Sequence, residues 1–184
     1  MHLPLTANII LLDIIIFTVY VVYVLTQFGI PINLSFTYYT FERKQKGLGI
    51  IFPLLMLFVC GTTIPVWIHT TLHASPWAQQ FLLFPVIGVI CLIAVAATAR
   101  YKMVPRLIIY HYAFAILAAV CAVAWIFLVA YSIVYIGLSV LLICMLCGLL
   151  TKTLRKCTIF WLENAAFYAI FFTLFFIELM PVQV

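Results

Sequence analysis

Long apolar segments separated by short polar ones make up almost the whole chain. A helix that crosses a bilayer needs ~20 mostly apolar residues. The run from 107 to 151 has 45 residues and as one helix would measure ~67 Å, about twice the thickness of the hydrocarbon layer. It must therefore reverse direction, and we place the turn near Tyr131 and Ser132. The pattern predicts six spans, at about residues 8–27, 49–69, 79–99, 107–130, 133–151 and 158–179.

The composition shows which solvent surrounds these helices. Of the 184 residues, 68% are hydrophobic and 7% are charged, whereas about 25% of the residues of a soluble domain are charged. A soluble fold of this size could not bury so much apolar surface. Soluble enzymes, nucleic-acid-binding proteins, coiled coils and disordered tails are therefore excluded. We predict an all-α polytopic transmembrane helical bundle that forms a single domain over residues 1–184, with the lipid bilayer around it.

The cationic residues test the number of spans independently. All nine Lys and Arg residues fall in three clusters, which lie on one side of the membrane if there are six spans. The positive-inside rule makes that side cytoplasmic and predicts that both termini are non-cytoplasmic. We therefore expect a multi-pass protein of the inner (cytoplasmic) membrane. The clusters are Arg43, Lys44 and Lys46; Arg100, Lys102 and Arg106; and Lys152, Arg155 and Lys156.

The connection between the first two predicted spans contains its own structural signals. Gly29 and Pro31 should end the first helix, because Gly costs backbone entropy and Pro lacks an N–H. Asn33 or Ser35 could then cap a short helix that presents aromatic residues ahead of the first basic cluster. We interpret Ser35, Tyr38 and Tyr39 as an interfacial segment at the headgroup layer. The alternative is a surface that binds a partner or a lipid.

Small residues line one face of the predicted fourth span. Ala115, Ala119 and Ala122 recur at helical spacing, with Ala118 beside them. Small side chains let two helix backbones approach closely in a membrane. We predict an internal seam between helices, and a homo-oligomer contact is the alternative.

A polar stripe runs along the first predicted span. Asp13 lies within the apolar run and belongs to a seven-residue series with Thr6, Tyr20 and Gln27, which stays close to one helical face. A charged group at membrane depth is costly, so the stripe should point into the bundle. Asp13 and Tyr20 are therefore candidates for function, or for hydrogen bonds that hold neighbouring helices together.

Two further ionisable residues lie just inside the predicted cytoplasmic side. His111 follows Arg106 at the start of the fourth span, and Glu163 follows Lys156 at the start of the sixth. They could meet if these helices are neighbours and could then relay protons or bind a polar solute. The alternative is a structural pair, or a bond from Glu163 to a cationic side chain that reaches inward. Glu178, near the outer edge of the sixth span, should be solvated.

A pair of histidines at the outer end of the second predicted span raises the question of a metal site. His69 and His73 have the i, i+4 spacing that places two imidazoles on one helical face. With Asp13 as a third ligand they would form a hydrolytic zinc site. Histidines at the membrane interface beside Trp67 and Trp77 are the other interpretation. We predict no metal and no other cofactor.

Several short motifs together resemble a known group of proteins. These are Gly29-Ile30-Pro31, Leu34-Ser35, Tyr38-Tyr39, His111-Tyr112 and Trp161-Leu162-Glu163. They resemble a family of uncharacterised six-span membrane proteins of Bacteroides-type bacteria and their phages or prophages. The resemblance implies six spans and a Gram-negative inner membrane, and it implies no activity.

These observations favour a membrane protein that handles a small solute, a proton or a lipid through buried polar residues without catalysing a reaction. A membrane-embedded, metal-dependent hydrolase is one alternative. An interaction or accessory protein, related to phage or defence and assembled with a membrane protein partner, is another. Nucleic acid is not expected as a partner, and the sequence does not identify the ligand.

Overall fold

The computed structural model describes residues 4–102, 104 and 106–179, and within these residues every regular element is helical. The two chain ends, whose side of the membrane was predicted, lie outside the described residues. The α-helices are α1 (Leu5–Phe28), α2 (Thr37–Lys44), α3 (Ile51–Ala74), α4 (Pro76–Gln79), α5 (Leu83–Ala97), α6 (Leu107–Leu128), α7 (Val134–Leu150) and α8 (Thr158–Leu179). Single 3₁₀ turns cover Leu34–Phe36, Leu48–Ile50 and Tyr131–Ile133.

Five helices are long and apolar enough to cross a membrane: α1, α3, α6, α7 and α8. The predicted third span corresponds to α5, which has 15 residues and a length of about 22 Å. Pro85 lies in its first turn and has no N–H to bond the carbonyl of Phe81. The N–H of Phe84 bonds that carbonyl instead, at 3.0 Å, so the helix is preceded by tighter turns.

The chain reverses where the pattern predicted. Helix α6 ends at Leu128, and the 3₁₀ turn Tyr131–Ile133 leads into α7. Helix α1 ends at Phe28 because Gly29 adopts a positive φ of 75°, a conformation that favours glycine. Both boundaries confirm predictions made from the sequence.

Helices pack in a consistent set of pairs around an aromatic core. Helix α5 packs against α6, α7 packs against α8, and α3 contacts α1, α5 and α8. Trp125, Phe17 and Phe160 are fully buried between them. On the outside, large apolar side chains such as Ile109 and Leu150 are exposed by 76% and 82%. An apolar exterior of this kind is what a helix presents to lipid.

The three basic connections meet at one end of the bundle. The N–H of Phe160, at the start of α8, donates to the carbonyl of Ile32 at 3.1 Å. The N–H of Lys102 donates to the hydroxyl of Tyr39 at 2.5 Å. All nine Lys and Arg side chains are exposed. The end that carries them is called the basic end below.

Candidate functional site

A central cavity lies between α3, α5, α6 and α8. The cavity is partly open to the outside. Its wall is almost entirely apolar, with contributions from Val59, Gly88, Val89, Ala118 and Phe171. Polar side chains line it at Thr63 and, where the 3₁₀ turn Leu34–Phe36 enters, at Ser35 and Glu163. The cavity therefore has an apolar body and a polar end near the basic end of the bundle.

The small residues of α6 form part of this cavity. Ala115, Ala118, Ala119 and Ala122 all line it. They therefore face neighbouring helices inside the bundle, as predicted for an internal seam, and α6 packs closely against α5. Their methyl side chains leave open a space that longer side chains would fill.

The segment after α1 is buried in the bundle. Ser35, Tyr38 and Tyr39, the predicted interfacial segment, are only 2%, 3% and 9% exposed, so their side chains pack against the rest of the protein. Side chains satisfy two backbone N–H groups of the segment, because Glu163 accepts that of Leu34 and Asn33 accepts that of Phe36. The predicted capping role of Asn33 is confirmed, since its Oδ1 accepts the N–H of Phe36 at 2.7 Å.

Glu163 holds this segment from α8. Its Oε2 accepts the N–H of Leu34 at 2.6 Å. Its other oxygen accepts no hydrogen bond within the described part of the chain, and no Lys, Arg or His described there forms an ion pair with it. Glu163 also lines the cavity. One half of this carboxylate is therefore available to a ligand.

His111 holds the same segment from α6. Its Nε2 lies 2.8 Å from Ser35 Oγ, and its Nδ1 lies 2.9 Å from Thr98 Oγ1. The ring stacks on Tyr101 with centroids 4.4 Å apart. His111 and Glu163 therefore bond to consecutive residues of this segment, Ser35 and Leu34 respectively. Among the described contacts they form no bond with each other, and they are linked instead through the segment that both of them bond.

Tyr101 closes the polar end on the side of the connection between α5 and α6. Its side chain is 1% exposed, and its hydroxyl lies beside Asn33 and Tyr112 without a hydrogen bond of good geometry. Burial raises the pKa of Tyr101 to about 12, so the phenol stays neutral near pH 7. Tyr101 therefore shields the His111 ring without adding charge.

Asp13 is fully buried and satisfied by α3. Its Oδ1 accepts the hydroxyl of Thr62 at 2.6 Å, and its Oδ2 accepts the hydroxyl of Thr63 at 2.8 Å. Tyr20, on the same stripe, forms a hydrogen bond with the hydroxyl of Thr37. The prediction that these two residues point into the bundle is confirmed, while Gln27 at the end of the stripe is exposed.

Glu178 forms hydrogen bonds that were not predicted from the sequence. Its Oε2 accepts the hydroxyl of Thr6, and its Oε1 accepts the hydroxyl of Thr70 at 2.7 Å. The expectation of a solvated side chain is therefore wrong. Thr6 belongs to the polar stripe of α1, so the sequence indicated a buried polar position there but did not identify Glu178 as its partner.

The histidine pair forms no metal site among the described residues. His69 and His73 stack with ring centroids 4.1 Å apart, and both are exposed. His73 Nδ1 lies 2.8 Å from the carbonyl oxygen of His69. No group of three or more His, Cys, Asp or Glu converges in the described part of the chain. Asp13 is not the third ligand, because both of its oxygens are bonded to α3 hydroxyls.

The chain matches no protein-family model, no curated protein and no solved structure.

Proposed function

We propose that this membrane protein binds an amphiphile in the central cavity, with the apolar tail between α3, α5, α6 and α8 and the polar head at Glu163. The observation that carries the proposal is a carboxylate that has one bonded oxygen and one free oxygen at the end of an apolar cavity. Ligand sites of this kind combine an apolar wall with a few convergent polar groups.

The wall of the cavity favours a lipid-like molecule over a polar solute or a proton. A polar solute would lose its hydration against side chains such as Val59 and Phe171, which return no hydrogen bonds. A proton pathway would need a chain of exchangeable groups between Glu163 and His111. The link between them runs through the backbone N–H of Leu34, which is not such a group.

The charge of Glu163 favours a cationic head. A buried carboxylate is costly unless it is paired or neutralised. No cation among the described residues pairs with Glu163, so an ammonium group on the ligand would supply the missing partner. We therefore propose a long-chain amine as the ligand class.

The same chemistry defines the test. Native mass spectrometry of the detergent-solubilised protein should count bound dodecylamine, with dodecanol and dodecyl sulfate as neutral and anionic probes of the same chain length. Dodecylamine should bind most tightly. Glu163→Gln should weaken it about 10-fold or more, because a hydrogen bond to a charged group contributes about 1.5–3 kcal/mol.

Glu42→Gln is the matched control for this experiment. Glu42 also accepts backbone N–H bonds, from Gly47 at 2.9 Å and Gly49 at 3.1 Å, but it lies outside the cavity. This variant should bind dodecylamine like the wild type. Equal binding of dodecylamine and dodecanol, or an unchanged affinity in Glu163→Gln, contradicts the proposal.

We further propose that the bundle crosses an inner membrane six times, with both termini on the non-cytoplasmic side. Helix α5 would cross together with the turns that flank it from Pro76 to Ala99. The position of all three basic connections at one end supports this topology. A reporter enzyme that is active only in the cytoplasm should be silent when fused after Val184 and active when inserted after Lys46. The opposite pattern contradicts the orientation.

A further inference from the structure

The hydrogen bonds around His111 fix which of its nitrogens carries the proton. Thr98 Oγ1 lies 2.7 Å from the carbonyl of Ala94 and donates its only hydrogen there. The Thr98 oxygen can therefore only accept from His111 Nδ1, which must carry the hydrogen. In the neutral ring, Nε2 is then an acceptor. It faces Ser35 Oγ at 2.8 Å.

The same contacts hold the imidazole in a fixed orientation. Thr98 fixes the Nδ1 edge, and the Tyr101 ring covers one face at 4.4 Å with an angle of 22° between the planes. Asn33 Oδ1 also lies near Ser35 Oγ, at 3.1 Å, but it already accepts the N–H of Phe36 at 2.7 Å. The shorter contact to a vacant Nε2 lone pair makes His111 the better acceptor for the Ser35 hydrogen.

The backbone around Ser35 provides a donor beside the hydroxyl. The N–H of Leu34 is taken by Glu163 and the N–H of Phe36 by Asn33. Between them, the N–H of Ser35 donates no hydrogen bond to any described residue. In serine hydrolases the N–H of the nucleophile itself is one donor to the oxyanion. Ser35 also lines the cavity, where an amphiphile would lie.

We propose that Ser35 and His111 form a nucleophile–base pair that hydrolyses a carboxylic ester of an amphiphile held in the central cavity. The inference rests on the proposed function for its binding site and adds a reaction to it. A hydroxyl, a base within hydrogen-bond reach and a third group that orients the base are the parts that activated serine nucleophiles share. Here Thr98 is the neutral orienting group.

The reaction needs no reactant other than the ester and water. Ser35 Oγ bonds to the carbonyl carbon while His111 Nε2 takes its proton. The ester C–O bond breaks, and the alcohol leaves with that proton. Water then attacks the acyl-serine, giving one proton to Nε2 and its oxygen to the acyl group. The carboxylic acid is released, and the proton on Nε2 returns to Ser35 Oγ.

A covalent probe tests the pair directly. Diisopropyl fluorophosphate, which has neither a long tail nor a cation, should phosphorylate Ser35 in the intact detergent-solubilised protein. Peptide mass spectrometry should locate the adduct on Ser35, and Ser35→Ala should abolish it. His111→Gln can bond to both Ser35 and Thr98 through its amide but cannot act as a base. It should slow labelling about 100-fold or more.

Ser132→Ala is the control for non-specific labelling, since Ser132 is exposed in the turn between α6 and α7. It should be labelled at Ser35 at the wild-type rate. Thermal unfolding of His111→Gln separates loss of the base from loss of the fold. A folded His111→Gln variant that is labelled as fast as the wild type overturns the inference.

Two measurements on the wild type separate this inference from the proposed function. If dodecylamine binds and Ser35 stays unlabelled, the hydrolase inference is wrong while amphiphile binding stands. If Ser35 is labelled and dodecylamine does not bind, the pair is reactive and the proposed ligand class is wrong.

Discussion

Three carboxylates of the long helices differ in how many of their oxygens accept hydrogen bonds. Asp13 and Glu178 each use both oxygens, and every bond comes from a threonine hydroxyl on another helix. Glu163 uses one oxygen, for a backbone N–H, and presents the other toward a cavity. The residue type alone therefore does not identify a binding group inside a membrane. What distinguishes Glu163 is that, among the described residues, the fold leaves one of its carboxylate oxygens without a hydrogen bond.

The location of the bonds explains the difference. Asp13 joins α1 to α3, and Glu178 joins α8 to α1 and α3, so both carboxylates form hydrogen bonds between long helices. Glu163 instead fixes a connecting segment on the wall of the cavity. Removal of the Asp13 or Glu178 carboxylate should lower the free energy of unfolding, whereas a change at Glu163 should mainly lower the affinity for the proposed amphiphile.

The largest effect should come from Asp13→Ala. It leaves the buried Thr63 hydroxyl without its acceptor and opens a void between α1 and α3. We expect a loss of about 2–3 kcal/mol in the free energy of unfolding, measured by denaturant titration in detergent micelles.

Glu163→Gln provides the comparison for that experiment. Its amide oxygen can still accept the N–H of Leu34, so the free energy of unfolding should change by less than about 1 kcal/mol. If Glu163→Gln destabilises the protein more than Asp13→Ala, then Glu163 is the structural residue and the distinction between the two regions is wrong.

A smaller effect should follow when the cavity is filled. Ala119→Leu places a larger apolar side chain in the cavity and should weaken dodecylamine binding about 10-fold, with the free energy of unfolding unchanged or slightly raised. Ala113→Leu, at an exposed position of the same helix, should leave both quantities at wild-type values. Native mass spectrometry and denaturant titration measure the two. Unchanged binding in Ala119→Leu places the ligand elsewhere.

Local signals explain why part of the fold could be predicted from sequence. The reversal at Tyr131–Ile133 follows from the length of an apolar run, and the end of α1 follows from Gly29. The length of α5 was missed because hydropathy does not register the bond that Pro85 cannot make. The apolar pattern reports where a segment is stable in lipid, not how many residues of it are helical.

The candidate site was harder to predict because its contacts are distant in sequence. Ser35 and His111 are 76 residues apart, and Leu34 and Glu163 are 129 apart. His111 and Glu163 were found because charge in an apolar run is conspicuous. Thr98 carried no such signal. The alanines of α6 were recognised as an internal face, but their spacing did not show that they also border a cavity, since small residues permit both a tight seam and an open space.

The buried segment from Asn33 to Thr37 imposes an order on biogenesis. Tyr20 can bond Thr37 as soon as both are synthesised, but His111 and Glu163 leave the ribosome 76 and 129 residues after their partners. Until α6 and α8 have been inserted, the Ser35 hydroxyl and the Leu34 N–H must find temporary partners, such as water or the translocon. The segment can take its final position only when translation of α8 is under way, so maturation of the polar end is a late step of assembly.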